Sequence, residues 1–376
     1  MYIQELYLNN FRNYENQKIE LNKNINVIYG NNAQGKTNII ESIFLCSYGK
    51  SFRAKKDKEL IRFDNDKANI ELLFKKNDRS GKIEVDINEK KTFYFNEIKQ
   101  NRISDIIGKI NVVIFTPDDI DIIKDGPIRR RKFIDMFISS LRPNYIHLLN
   151  TYNKALEQRN NYLRQIKLEN KNPEMLDVWD VQLAEYSYKI YKYRKQFIEK
   201  ISDKAKDFHK MITKSGKDDI KIKYISNSKE EKLFLENLKK TRMLDIRRGY
   251  TATGIHRDDF IVYINERPVS IFGSQGQQRT IVLTLKLCEL QIIKDEINDS
   301  PILLLDDFMS ELDENRRNNF FEIIKDNQVI ITCTDDFDIY ADCSKYYIEQ
   351  GKCIKMIWYI NNVKEKYLFF TINDRF

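Results

Sequence analysis

Residues Gly30–Asn38 read GNNAQGKTN, between the apolar run NINVIY and the apolar-periodic run IIESIFL. The chain holds only 12 glycines in 376 residues, so two at this spacing, with Lys36 directly after the second, require a cause. Gly30-Asn31-Asn32-Ala33-Gln34-Gly35-Lys36-Thr37 fits G-x-x-x-x-G-K-[ST] between a strand and a helix, the pattern of a phosphate-binding loop. Such a loop aims successive backbone N–H groups inward, which glycine permits by its backbone freedom and lack of a side chain. Lys36 is then expected to reach the β and γ phosphates of ATP, and the Thr37 hydroxyl to hold Mg²⁺.

A phosphate loop needs acids opposite it, and PILLLDD, Pro301–Asp307, supplies them at the end of an apolar strand. Carboxylates closing a buried strand are costly unless a cation compensates them. Asp306 is assigned to the metal, and Asp307 to orienting or deprotonating the attacking water.

Composition bounds the rest. The 64 Lys and Arg exceed the 56 Asp and Glu, a net charge of +8 that permits nucleic-acid binding without requiring it. Five cysteines form no C-x-x-C pair and there are three histidines, so no metal-ligand spacing is present and the cysteines read as free thiols. No secretory pattern opens the chain and no apolar run approaches the ~20 residues of a membrane span. The expectation is a cytoplasmic protein without a membrane partner.

The pattern of runs predicts a discontinuous α/β domain. Up to about Phe115, β-rich runs (YIQELYL, INVIYG, ANIELLF, KIEVDIN, KTFYFNE, NVVIFT) alternate with turns, interrupted by a helix after Gly35. From about Asp118 to Met243, helical periods rich in Tyr, Leu, Lys and Arg take over, broken at NKNP, Asn170–Pro173. After Gly249, FIVYIN, PILLLD and QVIITC return to strand character, with a helix over Gln277–Lys294. The expected division is residues 1–117 and 244–376 as the two parts of a head, with 118–243 as an inserted helical lobe. Apolar a and d positions are not sustained over Tyr145–Leu168 or Met175–Ile212, which predicts short helices in a compact lobe with no long coiled coil.

FGSQGQQRTIVLTLKL places Ser274 at a helix N-cap, with Gly273 and Gly276 beside it. Ser-Gln-Gly-Gln-Gln resembles the signature motif of ABC-type ATPases, and Ser310-Glu311-Leu312-Asp313 resembles their D-loop. Over nearly its whole length the chain further resembles the RecF family of bacterial recombination mediators. The resemblance is carried by YLNNFRNYENQKIEL (from Tyr7), KSFR (Lys50–Arg53), VVIFTPDDIDIIKDGPIRRRKFID (from Val112), LEQRN (Leu156–Asn160), TGIHRDDF (Thr253–Phe260) and LLLDDFMSELD (from Leu303).

That resemblance implies an ABC-type P-loop ATPase head, α/β and discontinuous, carrying the compact lobe. It implies that Ser274 and Gly276 of one chain meet the γ-phosphate held by another, in an ATP-dependent homodimer with weak, DNA-dependent hydrolysis. Arg53 falls where related heads place a nucleotide-contacting arginine, and a solvated basic loop is the other reading. Thr116–Asp118 takes the place of the Q-loop without a glutamine, and Thr334 stands where many ABC heads have a histidine. Asp307 replaces their glutamate. These departures imply slow hydrolysis. Implied ligands and partners are duplex DNA beside single-stranded gaps, a RecR-type mediator and, through it, the strand-exchange protein RecA. An SMC-like head would require long heptads, and a P-loop kinase would carry no signature motif.

Charge is uneven along the lobe. Residues 121–170 hold ten Lys or Arg against five acids, and 186–214 nine against three. Basic helices studded with tyrosine can track a phosphate backbone, although charge alone equally describes a solvated face. Arg129, Arg130 and Arg131 are candidates either for phosphate contact or for tying the lobe to the head. His256 is assigned a structural or interface role, with Asp258 and Asp259 expected to pair with Arg257 or a neighbouring chain.

Overall fold

Strand β3 (Ile25–Tyr29) has parallel neighbours on both sides, β13 (Val329–Cys333) and β14 (Cys343–Glu349), and β13 is followed by β12 (Ile302–Asp306) and β8 (Val112–Phe115), all parallel. Two antiparallel strands, β15 (Lys352–Trp358) and β16 (Leu368–Phe370), extend the far edge. Ile302–Leu305 and Val112–Phe115 are buried throughout, as parallel strands covered on both faces must be. In such sheets ligands sit beyond the carboxyl ends of the strands, and β3, β13 and β12 end side by side there.

This computed structural model describes residues 1–169, 171–214, 216–308, 312–334, 343–358 and 368–370. The chain divides into two units, Met1–Asp119 with Leu290–Phe376, and Ile120–Glu289.

The first unit also holds an antiparallel sheet, ordered β2 (Tyr14–Glu20), β1 (Tyr2–Phe11), β4 (Ala68–Lys76), β5 (Arg79–Ile87), β6 (Lys91–Phe95), β7 (Ile98–Gln100). Alternation sends Ile70, Leu72 and Phe74 inward and Asn69, Glu71 and Leu73 to the other face. Two-residue turns close the hairpins: Asn77-Asp78 and Asn96-Glu97 here, Gln350-Gly351 between β14 and β15, all with positive φ at both positions. That conformation matches the twist of the paired strands. Helix α1 (Lys36–Tyr48) packs on both sheets, and α9 (Glu314–Ile324) is capped by Asp313, whose carboxylate accepts from Arg316 N at 3.0 Å.

The second unit is built on α3 (Pro127–Leu141), α4 (Pro143–Glu169), α5 (Asp177–Thr213) and α6 (Glu231–Arg248), preceded by the single turn α2 (Asp121–Lys124). The chain breaks at NKNP as expected, but neither helix is short: α4 has 27 residues, and the 37 of α5 span about 55 Å at 1.5 Å per residue. Its inward face is apolar at Leu183, Ile190, Phe197, Ile201 and Phe208, and it packs on α3, α4, α6 and strand β9 (Ile220–Ile225) rather than projecting as one arm of a coiled coil. FIVYIN forms β10 (Asp259–Ile264), which pairs with β9 and β11 (Arg267–Pro268), so it joins the second unit instead of resuming the first. This unit runs past Met243 through α7 (Val269–Phe272), and its boundary falls inside α8 (Gln275–Ile297). No helix among the described residues is long and apolar enough to cross a membrane.

Candidate functional site

The loop after β3 is tightly framed. Gly30 has φ 145°, and a Cβ there would stand 2.5 Å from Ile348 O; Gly35 has φ 117°, and its Cβ would meet Asn13 Nδ2 at 2.5 Å. Only glycine fits either position. Asn13 Nδ2 donates to Gln34 O at 2.6 Å, Tyr14 Oη to Gly35 O at 3.1 Å, and Gln350 N to Gln34 Oε1 at 2.6 Å. Asn31, Asn32 and Ala33 stay exposed at the mouth. Lys36 is 4% exposed and donates to Gly30 O at 2.6 Å and Asn31 O at 2.9 Å. Its ammonium is thus held within the loop's own curve, where anionic oxygens would replace part of this carbonyl shell.

Thr37 Oγ1 donates to Asp306 Oδ1 at 2.9 Å, and Thr332 Oγ1 donates to the same oxygen at 2.8 Å. Asp306 is 7% exposed, and burial pushes its carboxyl above the ordinary range against those two hydrogen bonds. A buried carboxylate whose hydrogen-bond partners among the described residues are two hydroxyls is incompletely compensated, the condition that a divalent cation relieves. The donor set, a threonine hydroxyl and a carboxylate oxygen, suits Mg²⁺.

Asp307 follows with φ 48°, a left-handed conformation that aspartate tolerates at some cost. Its N–H donates to Thr332 Oγ1 at 3.0 Å. One hydroxyl on β13 therefore fixes both acids. Sequence reading fixed on Thr334 and passed over Thr332, although the parallel register of β12 and β13 sets Thr332 directly beside Asp306. Thr332→Val should lower turnover about tenfold, as expected for about 1.4 kcal/mol of lost positioning, with little change in nucleotide affinity. Thr332→Ser should restore turnover; steady-state hydrolysis with nucleotide titration checks both.

Arg53 lies at the same end of α1. Its guanidinium donates to Asn38 Oδ1 and Glu41 Oε2, each at 2.7 Å, and Glu41 also receives Arg12 at 2.8 and 2.9 Å. Glu41 is fully buried, which alone would raise its carboxyl, but Arg12, Ser51 and Arg53 together hold it below the ordinary range. An open pocket of about 510 Å³ adjoins, lined by Arg12, Asn13, Asn38, Arg53, Ala54, Glu59 and Ile61. Arg12, Asn13 and Glu41 were not singled out from sequence, although each lies in a quoted motif. Thr116 N donates to the Asp119 carboxylate at 2.7 Å in the turn where the Q-loop was expected, and Thr334 is exposed after β13. Ser310 and Glu311 of the D-loop, and Tyr367 of the apolar tail, lie outside the described residues.

Ser274 and Gly276 belong to the second unit. Gln277 N donates to Ser274 Oγ at 3.3 Å, and Ser274 N donates to Gln277 Oε1 at 3.0 Å, a reciprocal capping box that opens α8. Ser274 is exposed, as are Ile271 and Phe272 before it.

LEQRN and TGIHRDDF interlock within this unit. Arg159, fully buried, donates to Asp180 at 2.7 Å, Asp245 at 2.8 Å and Thr251 Oγ1 at 2.8 Å, joining α4, α5 and the end of α6. Asn160 Oδ1 accepts from Thr251 N at 2.8 Å. His256 Nε2 faces Thr251 O at 3.1 Å and Nδ1 faces Tyr152 Oη at 2.6 Å. The carbonyl fixes the proton on Nε2, so Nδ1 accepts from tyrosine, and burial pushes the imidazole down to about 4. His256 is a neutral structural bridge. Asp258 and Asp259 do not pair with Arg257: Asp259 takes Arg130 at 2.6 and 3.0 Å, while Asp258 accepts from Tyr224 Oη at 2.5 Å and lies 3.7 Å from Arg194. Arg131 donates to Asp258 O at 2.7 Å. Arg130 and Arg131 are therefore tied down beside β10, whereas Arg129 is more exposed, near Asp121 and Asp125.

Residues 2–348 match the family model described as the RecF/RecN/SMC N terminal domain. The DNA replication and repair protein RecF of Clostridium perfringens (strain SM101 / Type A) is 46% identical over 365 residues, 95% of this chain and 98% of that protein. A solved structure of the recombination mediator protein RecF with ATP, in the RecFOR pathway, superposes with a TM-score of 0.88 at 37% identity, covering 95% of this chain and 98% of that one. An Smc head domain from Pyrococcus furiosus reaches a TM-score of 0.55 at 18% identity over 94% of this chain and 95% of that one, a likeness of fold.

Proposed function

This chain belongs to the RecF/RecN/SMC N-terminal-domain family and, within it, to the RecF proteins, and on that footing we propose an ATP-dependent DNA-binding protein of recombinational repair and replication whose weak ATPase acts as a switch. The observation that carries the reading is the Thr37–Asp306 hydrogen bond of 2.9 Å, which joins the phosphate loop after β3 to the acid closing β12. ATP would lie with its β and γ phosphates against the loop N–H groups and the Lys36 ammonium. Thr37 and Asp306 would hold Mg²⁺, which when bound neutralises phosphate charge. Asp307 would orient or deprotonate the attacking water, its backbone fixed by Thr332. With Arg53 and Asn38 bordering the adjoining pocket, nucleotide contacts would continue beyond the phosphates.

Ser274, exposed at the start of α8, and Gly276 beside it would complete this site from a second copy, making ATP the bond of a twofold dimer. Hydrolysis would remove the γ-phosphate and its contacts, releasing the dimer from DNA. Asp307 in place of the longer glutamate, and Thr334 in place of histidine, fit slow turnover. The ligand would be duplex DNA beside single-stranded gaps, in the cytoplasm, with a RecR-type mediator as partner and loading of RecA as the outcome.

Steady-state ATP hydrolysis measured against protein concentration tests this. The rate per chain is expected to rise with concentration and to rise further with gapped duplex. A rate per chain independent of both would mean that each chain holds a complete site, and would overturn the composite-site dimer.

A further inference from the structure

Two groups of arginines in the second unit contrast. Arg130, Arg159, Arg194 and Arg242 are spent on internal carboxylates. Arg164, Arg247, Arg248 and Arg257 are exposed and make no salt bridge among the described residues. These four come from three separate stretches that meet around Tyr250. Arg247 and Arg248 end α6, and Gly249 turns the chain with φ 75°. Arg164 on α4 stands beside that turn, its Cγ 3.3 Å from where a Gly249 Cβ would lie. The Arg257 guanidinium lies 5.6 Å over the ring of Tyr250, which is itself 43% exposed.

A helix C-terminus favours cations in its last turn, which accounts for Arg247 and Arg248 but not for Arg164 or Arg257. In the motif HRDD, His256 is neutral and bonded inward, and Asp258 and Asp259 are paired inward. Arg257 is the one charged member of that motif turned to solvent. Arginine presents a planar fork of donors that matches phosphate oxygens two at a time, and it stacks on aromatic faces, as Arg257 does on Tyr250, which holds its fork in place.

We propose that Arg164, Arg247, Arg248 and Arg257, arrayed around Tyr250, form the surface through which this chain grips the phosphate backbone of duplex DNA. The inference rests on the DNA-binding reading above and assigns its contact residues. It requires no base readout, since backbone contacts position a protein without selecting sequence.

The test uses the full chain with Mg²⁺ and ATP, and follows fluorescence anisotropy of a labelled mixed-sequence duplex of about thirty base pairs over roughly 50 to 200 mM salt. Each lost phosphate contact reduces the slope of log K against log salt by about 0.9. Arg247→Ala/Arg248→Ala should therefore flatten the slope by about two and weaken binding at least about tenfold near 0.1 M salt. Arg257→Ala should flatten it by about one, an independent check should the double variant fold poorly, and DNA-free ATP hydrolysis should be unchanged in both. Arg79→Ala/Lys90→Ala removes equal charge from exposed positions of the first unit and should leave the slope intact. An unchanged slope in the α6 and Arg257 variants overturns the assignment and redirects the cluster to an acidic protein partner. Equal losses in the control pair overturn it in favour of net charge. If the unaltered chain binds no duplex at any salt, the DNA reading itself fails and takes this inference with it.

Discussion

Lys36→Ala should abolish measurable ATP turnover, with a loss of about 10² to 10³-fold or more, the scale seen when one positioned donor is removed from a site where charge develops. The reason lies in what the ammonium touches. It is 4% exposed and bonded to Gly30 O and Asn31 O, so its removal leaves carbonyl dipoles aimed into the loop with nothing positive between them. Nucleotide affinity should fall as well, because the charge contributes in the ground state and not only in the transition state. Protein stability should barely change, since Asn13, Tyr14 and Gln350 hold the loop independently. The measurement is hydrolysis and nucleotide affinity alongside a melting curve; a variant that turns over at the unaltered rate would remove the loop from the chemistry.

Arg159→Ala should be the most destabilising single change in the second unit, by about 3 to 5 kcal/mol, because removing one partner of a buried ion cluster strands the others. Asp180 retains Arg242 at 2.7 Å, but Asp245 is left with the backbone N–H of Ala252 at 3.1 Å as its other hydrogen bond. Both acids are fully buried beside the vacated space. Arg159→Ala/Asp245→Ala should recover part of the loss, since the second substitution removes the stranded charge. Denaturant midpoints of the single and double variants check this, and a double variant weaker than the single by the full cost of Asp245→Ala would exclude coupling between the two groups.

The head was legible because its chemistry is local. A phosphate loop must be flanked by a strand and a helix, and an apolar strand ending in paired acids must face it, so NINVIYGNNAQGKTN and PILLLDD sufficed. The Ser274 cap was legible for the same reason, its partner Gln277 being three residues away. What escaped was non-local. Thr332 is an unremarked strand residue until the register of β12 and β13 sets it against Asp306. Arg12 and Glu41 find each other across 29 residues. The hairpin turns use Asn-Asp, Asn-Glu and Gln-Gly rather than Asn-Gly, which left strand pairing undetermined. The length of α5 was hidden because its apolar face meets three helices and a strand, so no single heptad register describes it. The pairing of Asp258 and Asp259 was misassigned because the nearest cation in sequence, Arg257, points away while Arg130 and Arg194 arrive from distant helices.

The position of β3 governs how the protein can be made. Both of its hydrogen-bonded neighbours, β13 and β14, come from the far end of the chain, and so does Gln350, which holds the loop. At bacterial synthesis rates of about 5 to 20 residues per second, the roughly 320 residues between β3 and the end of β14 take on the order of 15 to 60 seconds to emerge. During that interval the antiparallel sheet β1–β2–β4–β5–β6 and the helical unit can already close, because all their partners have been synthesised. The phosphate loop has only Asn13 and Tyr14 of its bracing residues in that interval and lacks Gln350 and both strands beside β3. Until β12–β14 and Gln350 have been made, a nascent chain therefore lacks Asp306, Thr332 and the Gln350 brace of the loop, and any nucleotide-driven pairing of two copies would have to wait for them.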